Sequence, residues 1–197
     1  LEKISGEYFK NYNINKVERK TDGVRVFYGE DNEFFDYDKV VLATHADQTI
    51  SIIKNPTDEE KNLLTKFNYK KNIALIHTDE KVMPSNKKAW SSWNSSINSN
   101  NLKESSITYW LNLLQNLNVR KNIFLTLNPF FQVDKDKIIK KIEFTHPYYN
   151  QEALSFQKNL SNIQNKKNIL FCGSYFGYGF HEDGIKSSID MLKFLDD

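Results

Sequence analysis

The stretch Phe171-Cys-Gly-Ser-Tyr-Phe-Gly-Tyr-Gly-Phe-His-Glu-Asp-Gly-Ile-Lys-Ser-Ser188 decides how this chain is read. An apolar strand, Asn168 to Cys172, runs into Gly173. Three more glycines follow at Gly177, Gly179 and Gly184, and a helix opens near Glu182 and continues to Leu195. Ile185, Ile189, Leu192 and Leu195 fall on one face of that helix. The N–H groups of a helix's first turn have no partner within the helix and carry partial positive charge, so they suit an anionic ligand. Glycines let the backbone approach a flat ring or a phosphate with no Cβ in the way. Neither Gly-x-x-x-x-Gly-Lys-Ser/Thr nor Gly-x-Gly-x-x-Gly occurs here. On its residues alone the pattern equally describes a plain glycine-rich connection between strand and helix.

Outward from this segment the chain alternates short strands and helices. Val24 to Tyr28 is β-branched and aromatic, bounded by Gly23 and Gly29, and reads as a strand. Phe34 to Tyr37 and Lys39 to Thr44 read as two more, and Val40 to Ala43 is apolar on both faces, as in a buried central strand. A helix is expected from about Asp47. A second follows Pro56: Thr57 caps it, Glu60 completes a capping box, and Leu63, Leu64 and Phe67 form its apolar face. Lys71–Thr78, Ala89–Asn94, Ser106–Leu113, Asn122–Leu127 and Lys140–His146 read as a strand-rich middle, with residues 98–101 as the tip of a long connection. Gln151 to Ile163 shows helical spacing in Ala153, Phe156, Leu160 and Ile163. The expected class is α+β: an antiparallel or mixed sheet backed by helices, with strands at both chain ends suited to the edge of a second sheet.

Composition excludes several classes. A chain of 197 residues buries roughly 70% of its unfolded surface. With 39% hydrophobic and 14% aromatic residues it is expected to pack rather than stay disordered. The net charge of +2 gives no field for nucleic acid, and the basic residues are 24 Lys against 3 Arg, the wrong bias for base readout. Cys172 is the only cysteine, so no disulfide framework or cysteine zinc site forms within the chain and a cytoplasmic setting is expected. No run reaches the ~20 apolar residues of a membrane span, and no leader peptide is expected.

The segment 171–188 resembles the C-terminal flavin-binding motif of the FAD-dependent amine-oxidase superfamily. In that motif an apolar strand ends in Gly plus a polar residue, matched by Gly173-Ser174, and a Gly-aromatic-x-Glu turn opens the last helix, matched by Gly179-Phe180-His181-Glu182. The resemblance implies that Gly173 and Ser174 lie against the ribityl and phosphate part of FAD, and that the N–H groups at His181 and Glu182 meet the pyrimidine O2 of the flavin. Gly184 belongs to the same cofactor-binding segment. Ser174 stands where that family often has an acidic residue. The run from Ile14 through Gly23-Val-Arg-Val26 to Tyr37-Asp-Lys-Val-Val-Leu-Ala-Thr44 is similar to the segment that leads from the adenine-contacting Val, here Val17, to the D-x-V-V-x-A strand. Trp90-Ser-Ser-Trp-Asn94, Thr108-Tyr-Trp-Leu-Asn112, Leu127-Asn-Pro129 and Thr145-His-Pro147 resemble a branch of predicted FAD/NAD-binding proteins, also similar to the region before the methyltransferase part of plant cyclopropane fatty acid synthases.

The resemblance implies the C-terminal half of an FAD-dependent oxidoreductase. Residues 1–44 would end an FAD-binding Rossmann-like domain, 45–165 would form the substrate-type domain, and 166–197 would return to the first domain. The expected reaction is hydride transfer from an amine or a lipid-like fatty-acyl substrate to flavin N5. The expected partner is the N-terminal half that carries Gly-x-Gly-x-x-Gly. The alternative is a non-catalytic scaffold without cofactor. No catalytic residue can be named from the sequence. The four histidines, His45, His77, His146 and His181, show no metal-ligand spacing, and no metal site is expected. His77 and His146 read as structural, and His181 as the functional candidate. Trp90, Trp93, Tyr109, Trp110, Phe130, Phe131, Tyr175 and Tyr178 are either core residues or the lining of an apolar cleft. No Gly-x-Ser-x-Gly elbow supports a hydrolase.

Overall fold

Valines at alternate positions in the first strands set the N-terminal architecture. In the computed structural model, which describes residues 6–30 and 33–195, the chain runs β1 (Ile14–Lys20), β2 (Gly23–Tyr28), β3 (Glu33–Tyr37), β4 (Val40–Leu42), α1 (Ala46–Ile52), α2 (Asp58–Leu64), β5 (Asn68–His77), β6 (Trp93–Asn98), β7 (Asn101–Trp110), α3 (Leu111–Leu114), β8 (Phe124–Leu127), β9 (Ile138–Tyr148), α4 (Gln151–Gln157), β10 (Ile169–Phe171) and α5 (His181–Met191). This is the α+β class expected from the sequence.

Leu1–Tyr69 and Pro147–Asp197 make one compact unit, and Lys70–His146 make the other. In the first unit β1, β2 and β3 form an antiparallel meander in which Val17 pairs with Val26 and Val26 with Phe35. Val17, Val24 and Val26 are buried on one face. Gly23 begins β2 at φ +139°, and a Cβ there would lie 2.4 Å from the Tyr37 carbonyl oxygen, so only glycine lets the two strands meet. β4 pairs in parallel with β10, Val40 to Ile169 and Leu42 to Phe171. α1, α2 and α4 close over this core through Ala46, Leu63, Leu64 and Ala153.

The α2 start forms as its sequence indicates. Thr57 Oγ1 accepts the Glu60 N–H at 3.1 Å, and Glu60 Oε2 accepts the Thr57 N–H at 2.7 Å. The other Glu60 carboxylate oxygen takes the guanidinium of Arg19 on β1. Glu60 is fully buried, so the capping box also serves as the counter-charge of a cation held at the meander.

The second unit carries most of a five-stranded sheet in the order β6-β7-β8-β5-β9. Its interior is partly polar. His77 is fully buried; its Nδ1 accepts the Asp79 N–H at 3.1 Å, so Nε2 carries the proton and donates to Thr126 Oγ1 at 2.8 Å. Thr126 lies 2.9 Å from Thr108 Oγ1 on the neighbouring strand. His77 is therefore the satisfied structural histidine its strand position suggests. Burial holds its pKa below the usual 6.5, against the opposing pull of Asp79.

Several local expectations need correction. The strand expected at 89–94 begins only at Trp93. Lys87–Ala89 is instead a 3-10 turn capped by Asn86, whose Oδ1 accepts the Lys88 N–H at 3.0 Å. Residues 98–101 are a tight hairpin, with Asn98 opposite Asn101, rather than the tip of a long connection. β7 stops at Trp110 and turns into α3. The helix expected over 151–163 stops at Gln157 and resumes as a 3-10 turn, Leu160–Ile163. The segment before Lys20 forms a full strand, β1. The unit that holds the sheet also runs over 70–146, narrower than 45–165, because Ala46, Leu63, Ala153, Leu160 and Ile163 fill the core of the other unit.

Two outcomes follow. Glu60→Ala leaves the largely buried Arg19 without its counter-charge and removes the reciprocal half of the capping box, and is expected to cost about 3–5 kcal/mol in a urea melt. His77 has a lowered folded pKa, so the unfolded chain takes up its proton first, and stability falls as pH drops from about 7 through the usual histidine range. Melts of the parent and of His77→Gln at pH 7 and pH 5 should show a smaller pH dependence in the variant.

Candidate flavin-binding turn

Cys172 donates its N–H to the Leu42 carbonyl at 3.1 Å, the last rung of the parallel pair. Gly173 then turns the chain at φ +152°, with the Tyr175 ring 2.8 Å from where a Cβ would stand. Its N–H donates to Ser187 Oγ at 2.9 Å, and the Ser187 hydroxyl donates to the Gly184 carbonyl at 2.7 Å. One serine thus fixes the strand end to the first turn of α5.

Between them Ser174–Phe176 forms a 3-10 turn. The Ser174 carbonyl gathers three donors: the Gly177 and Gly179 N–H groups, each at 3.1 Å, and the Tyr149 hydroxyl at 3.3 Å. Gln157 Nε2 donates to the carbonyls of Tyr175 at 2.8 Å and Gly177 at 2.6 Å. Asp183 closes the turn from the helix side. Its Oδ2 accepts the N–H groups of Tyr178 and Phe180, both at 2.9 Å. Asp183 also lies directly over Gly177, where an added Cβ would come within 2.2 Å of its Oδ1. Burial, reinforced by Asp183, raises the Tyr149 pKa to about 12, so its hydroxyl stays protonated and able to donate.

The accounting of amides separates two groups. Those of Gly177, Tyr178, Gly179 and Phe180 are spent on acceptors of this chain. The first bond of the helical ladder is Gly184 N–H to Phe180 O, at 3.2 Å. The N–H groups of His181, Glu182 and Asp183 precede it and meet no acceptor among the described residues, with His181 and Glu182 exposed and Asp183 half-buried.

Of the residues singled out from the sequence, Gly173, Ser174, Gly179, Phe180, His181, Glu182 and Gly184 therefore lie together in one turn. Val17 lies apart from it on β1. Its side chain is buried in the core and its carbonyl accepts the Lys54 N–H at 2.8 Å. Gly179 is the left-handed residue of the turn at φ +93°, with the Tyr149 hydroxyl 3.1 Å from an added Cβ. Sequence reading missed the residues that build the turn: Tyr149, Gln157, Asp183 and Ser187. Asp183 had a legible signal, an acidic residue three positions after the cap Phe180. Tyr149 and Gln157 had none, because their partners lie 25 and 18 or more residues away.

Among the aromatic candidates, Tyr175 is a core residue packed against Phe67 and Phe176, while Tyr178 is exposed. Trp90 meets Trp110 and Phe124 edge-on within the second unit. Among the described residues no cluster of three His, Cys, Asp or Glu could hold a metal, and no helix is long and apolar enough to cross a membrane.

No protein-family model matches the sequence, and no curated protein matches it. Solved structures do match the fold. A CLA-producing fatty acid isomerase from P. acnes superposes with a TM-score of 0.65 at 14% identity, over 98% of this chain and 49% of its own. A putrescine oxidase variant from a study redesigning cofactor binding superposes at 0.62 and 8% identity, over 96% of this chain and 49% of its own. A putative protoporphyrinogen oxidase from Exiguobacterium sp. 255-15 gives 0.54 at 11% identity, over 94% and 47%. The chain spans about half the length of each, and it has the fold of that half.

The turn's construction is directly testable. Gly177→Ala drives a methyl into the Asp183 carboxylate, strips the caps from Tyr178 and Phe180, and should destabilise the fold by about 1–3 kcal/mol. Hydrogen exchange at those two amides should accelerate in the same variant. Unchanged exchange would mean that Asp183 does not hold the turn.

Proposed function

We propose that the intact protein is an FAD-dependent oxidoreductase and that this chain contributes its flavin-contacting turn. The observation that carries the reading is the unspent amides of the exposed residues His181 and Glu182, at the start of a helix tied to the end of a parallel strand. The Glu182 and Asp183 carboxylates share that helix start and already offset much of its positive end. They disfavour a phosphate dianion at the amides and leave them suited to a neutral carbonyl acceptor, such as the pyrimidine edge of a flavin. The fold likeness to an oxidase and a fatty acid isomerase, and the motif resemblance at Gly173-Ser174 and Gly179–Glu182, support the same reading.

The bound flavin would supply hydride acceptance at N5, from an amine or a fatty-acyl-type substrate. This chain's residues orient it. The His181 and Glu182 amides would donate to the carbonyl edge and Ser174 would reach toward the ribityl chain, while Gly179, where an added Cβ would meet Tyr149 and Pro147, lets the turn close. Val17 is the proposed adenine contact through its backbone. A cofactor-free scaffold is the second reading, favoured by the Val17 carbonyl already serving Lys54 and by a span of half the neighbours' length.

The 197-residue chain alone should purify without colour, whereas the intact protein should hold stoichiometric FAD. His181→Pro tests the contact itself. Proline is tolerated at the first position of a helix and lacks the N–H, so the fold should survive while FAD affinity in the intact protein drops by about tenfold, the worth of one hydrogen bond. Unaltered FAD affinity and reduction potential in that variant would remove the amide contact from the proposal.

A further inference from the structure

One face of α5, continued by the 3-10 turn Leu192–Phe194, lines a groove of ≈ 540 Å³. Asp183, Lys186, Asp190 and Met191 recur along that face at helical spacing, and Phe194 extends it, so the groove runs about 16 Å at 1.5 Å per residue. The facing wall is the C-terminal end of α4 with the 3-10 turn after it, through Lys158, Leu160 and Gln164. Phe176 and Gly177 belong to the Asp183 end, since Asp183 lies directly over Gly177. Small molecules occupy concave sites of roughly 300–1,000 Å³. All these residues belong to the first unit. Neither His181 nor Glu182 lines the groove, so it is separate from the amides proposed to meet flavin.

The charges of the groove do not cancel. Lys158, Lys186 and Lys193 stand against Asp183 and Asp190, a net +1. Both carboxylates are engaged: Asp183 Oδ2 accepts the Tyr178 and Phe180 N–H groups at 2.9 Å, and Lys193 Nζ donates to Asp190 Oδ1 at 2.6 Å. Lys158 and Lys186 line the groove from opposite walls, are exposed, and make no ion pair among the described residues. The neutral polar groups are spent within the chain. Gln164 accepts the Phe171 N–H at Oε1, 2.9 Å, and donates from Nε2 to the Phe171 carbonyl, 2.7 Å, which closes that edge of β10. Ser187 Oγ is held between Gly173 and Gly184. What remains for a ligand is two free ammonium groups and the half-buried rings of Phe176 and Phe194, each packed on the core.

We propose that this groove binds a small monocarboxylate with an apolar body, its carboxylate held between Lys158 and Lys186 and its body laid along Phe176 and Phe194. The net +1 matches a single negative charge, and the two aspartates oppose a dianion such as a phosphate monoester. Lysine is a point charge without the planar fork that selects phosphate oxygens in pairs, so the lining has no geometric preference for phosphate either. An extended peptide is the poorer occupant. Such a peptide gains its affinity by adding to an open strand edge, and Gln164 already occupies the edge of β10 that borders the groove. The proposal stands on the groove alone and does not require that the protein bind flavin.

The test titrates decanoate, decyl phosphate and decyltrimethylammonium, each below its micellar concentration, into the intact protein at pH 8, where the phosphate carries close to two charges. Decanoate should bind saturably and more tightly than decyl phosphate, and the ammonium should not bind. Lys158→Glu and Lys186→Glu should each weaken decanoate by at least about tenfold. Both lysines are exposed, so melting should match the parent. Lys158→Gln and Lys186→Gln, with a smaller loss, take their place should a reversal unfold the protein. Deuterium exchange locates the ligand: decanoate should slow exchange over residues 157–164 and 183–194, leave the β6–β7 hairpin unchanged, and lose this effect in both variants. Equal binding of the ammonium, absent protection in the parent, or protection that survives both lysine changes overturns the proposal. Tighter binding of decyl phosphate overturns the carboxylate and assigns the groove to a phosphate monoester.

Discussion

The parallel pairing of β4 with β10 is the constraint on which the rest of the architecture hangs. Three residues near position 41 meet three near position 170, and everything between them must leave and return. That closure sets Phe171, Cys172 and Gly173 at the end of a buried strand, and so fixes where the glycine turn and α5 begin. It is reinforced on both sides of the first unit, by Gln164 along the far edge of β10 and by Ser187 between Gly173 and the helix. Closing so long a loop loses chain entropy that grows only slowly with length, and the interposed sheet recovers it through its own pairing.

The turn is a rigid, self-satisfied structure with one deliberate gap. Tyr149, Gln157 and Asp183 meet its carbonyls and amides, and burial keeps Tyr149 protonated as a donor. Rigid support of this kind is what a ligand contact needs, because two amides held by packing lose little entropy when they bind. Under the proposed reading, the Glu182 and Asp183 carboxylates beside the helix start would oppose a full negative charge on the ligand. The second unit is organised differently, with a buried His–Thr–Thr chain that links β5, β8 and β7 by hydrogen bonds.

Much of this was legible in sequence because its causes are local. Thr57 and Glu60 sit three apart and formed the capping box they imply. Asn168 to Cys172 is apolar without alternation and became the buried strand β10, whereas Val40 to Leu42, expected as a buried strand, pairs with it in parallel but leaves Val41 exposed. The four glycines between 173 and 184 marked a tight turn. Where reading failed, a competing effect won. The apolar period from Ala153 to Ile163 was real, but the α-helix ends at Gln157, and Leu160 and Ile163 reach the core from a 3-10 turn. Ile185, Ile189 and Leu192 have the spacing of a core face and yet lie exposed, since periodicity reports that a surface is apolar and says nothing of what covers it.

The sequence by itself determined the class of fold and the strand–glycine–helix order, because each follows from spacing along a few consecutive positions. Only the tertiary structure decided which amides of that turn stay free, which edge of the parallel pair is closed by Gln164, and that Glu60 answers Arg19 across 41 residues. Those outcomes depend on side chains brought together from distant parts of the chain, and hydrogen-bond satisfaction in a buried site is settled by geometry that no local pattern encodes.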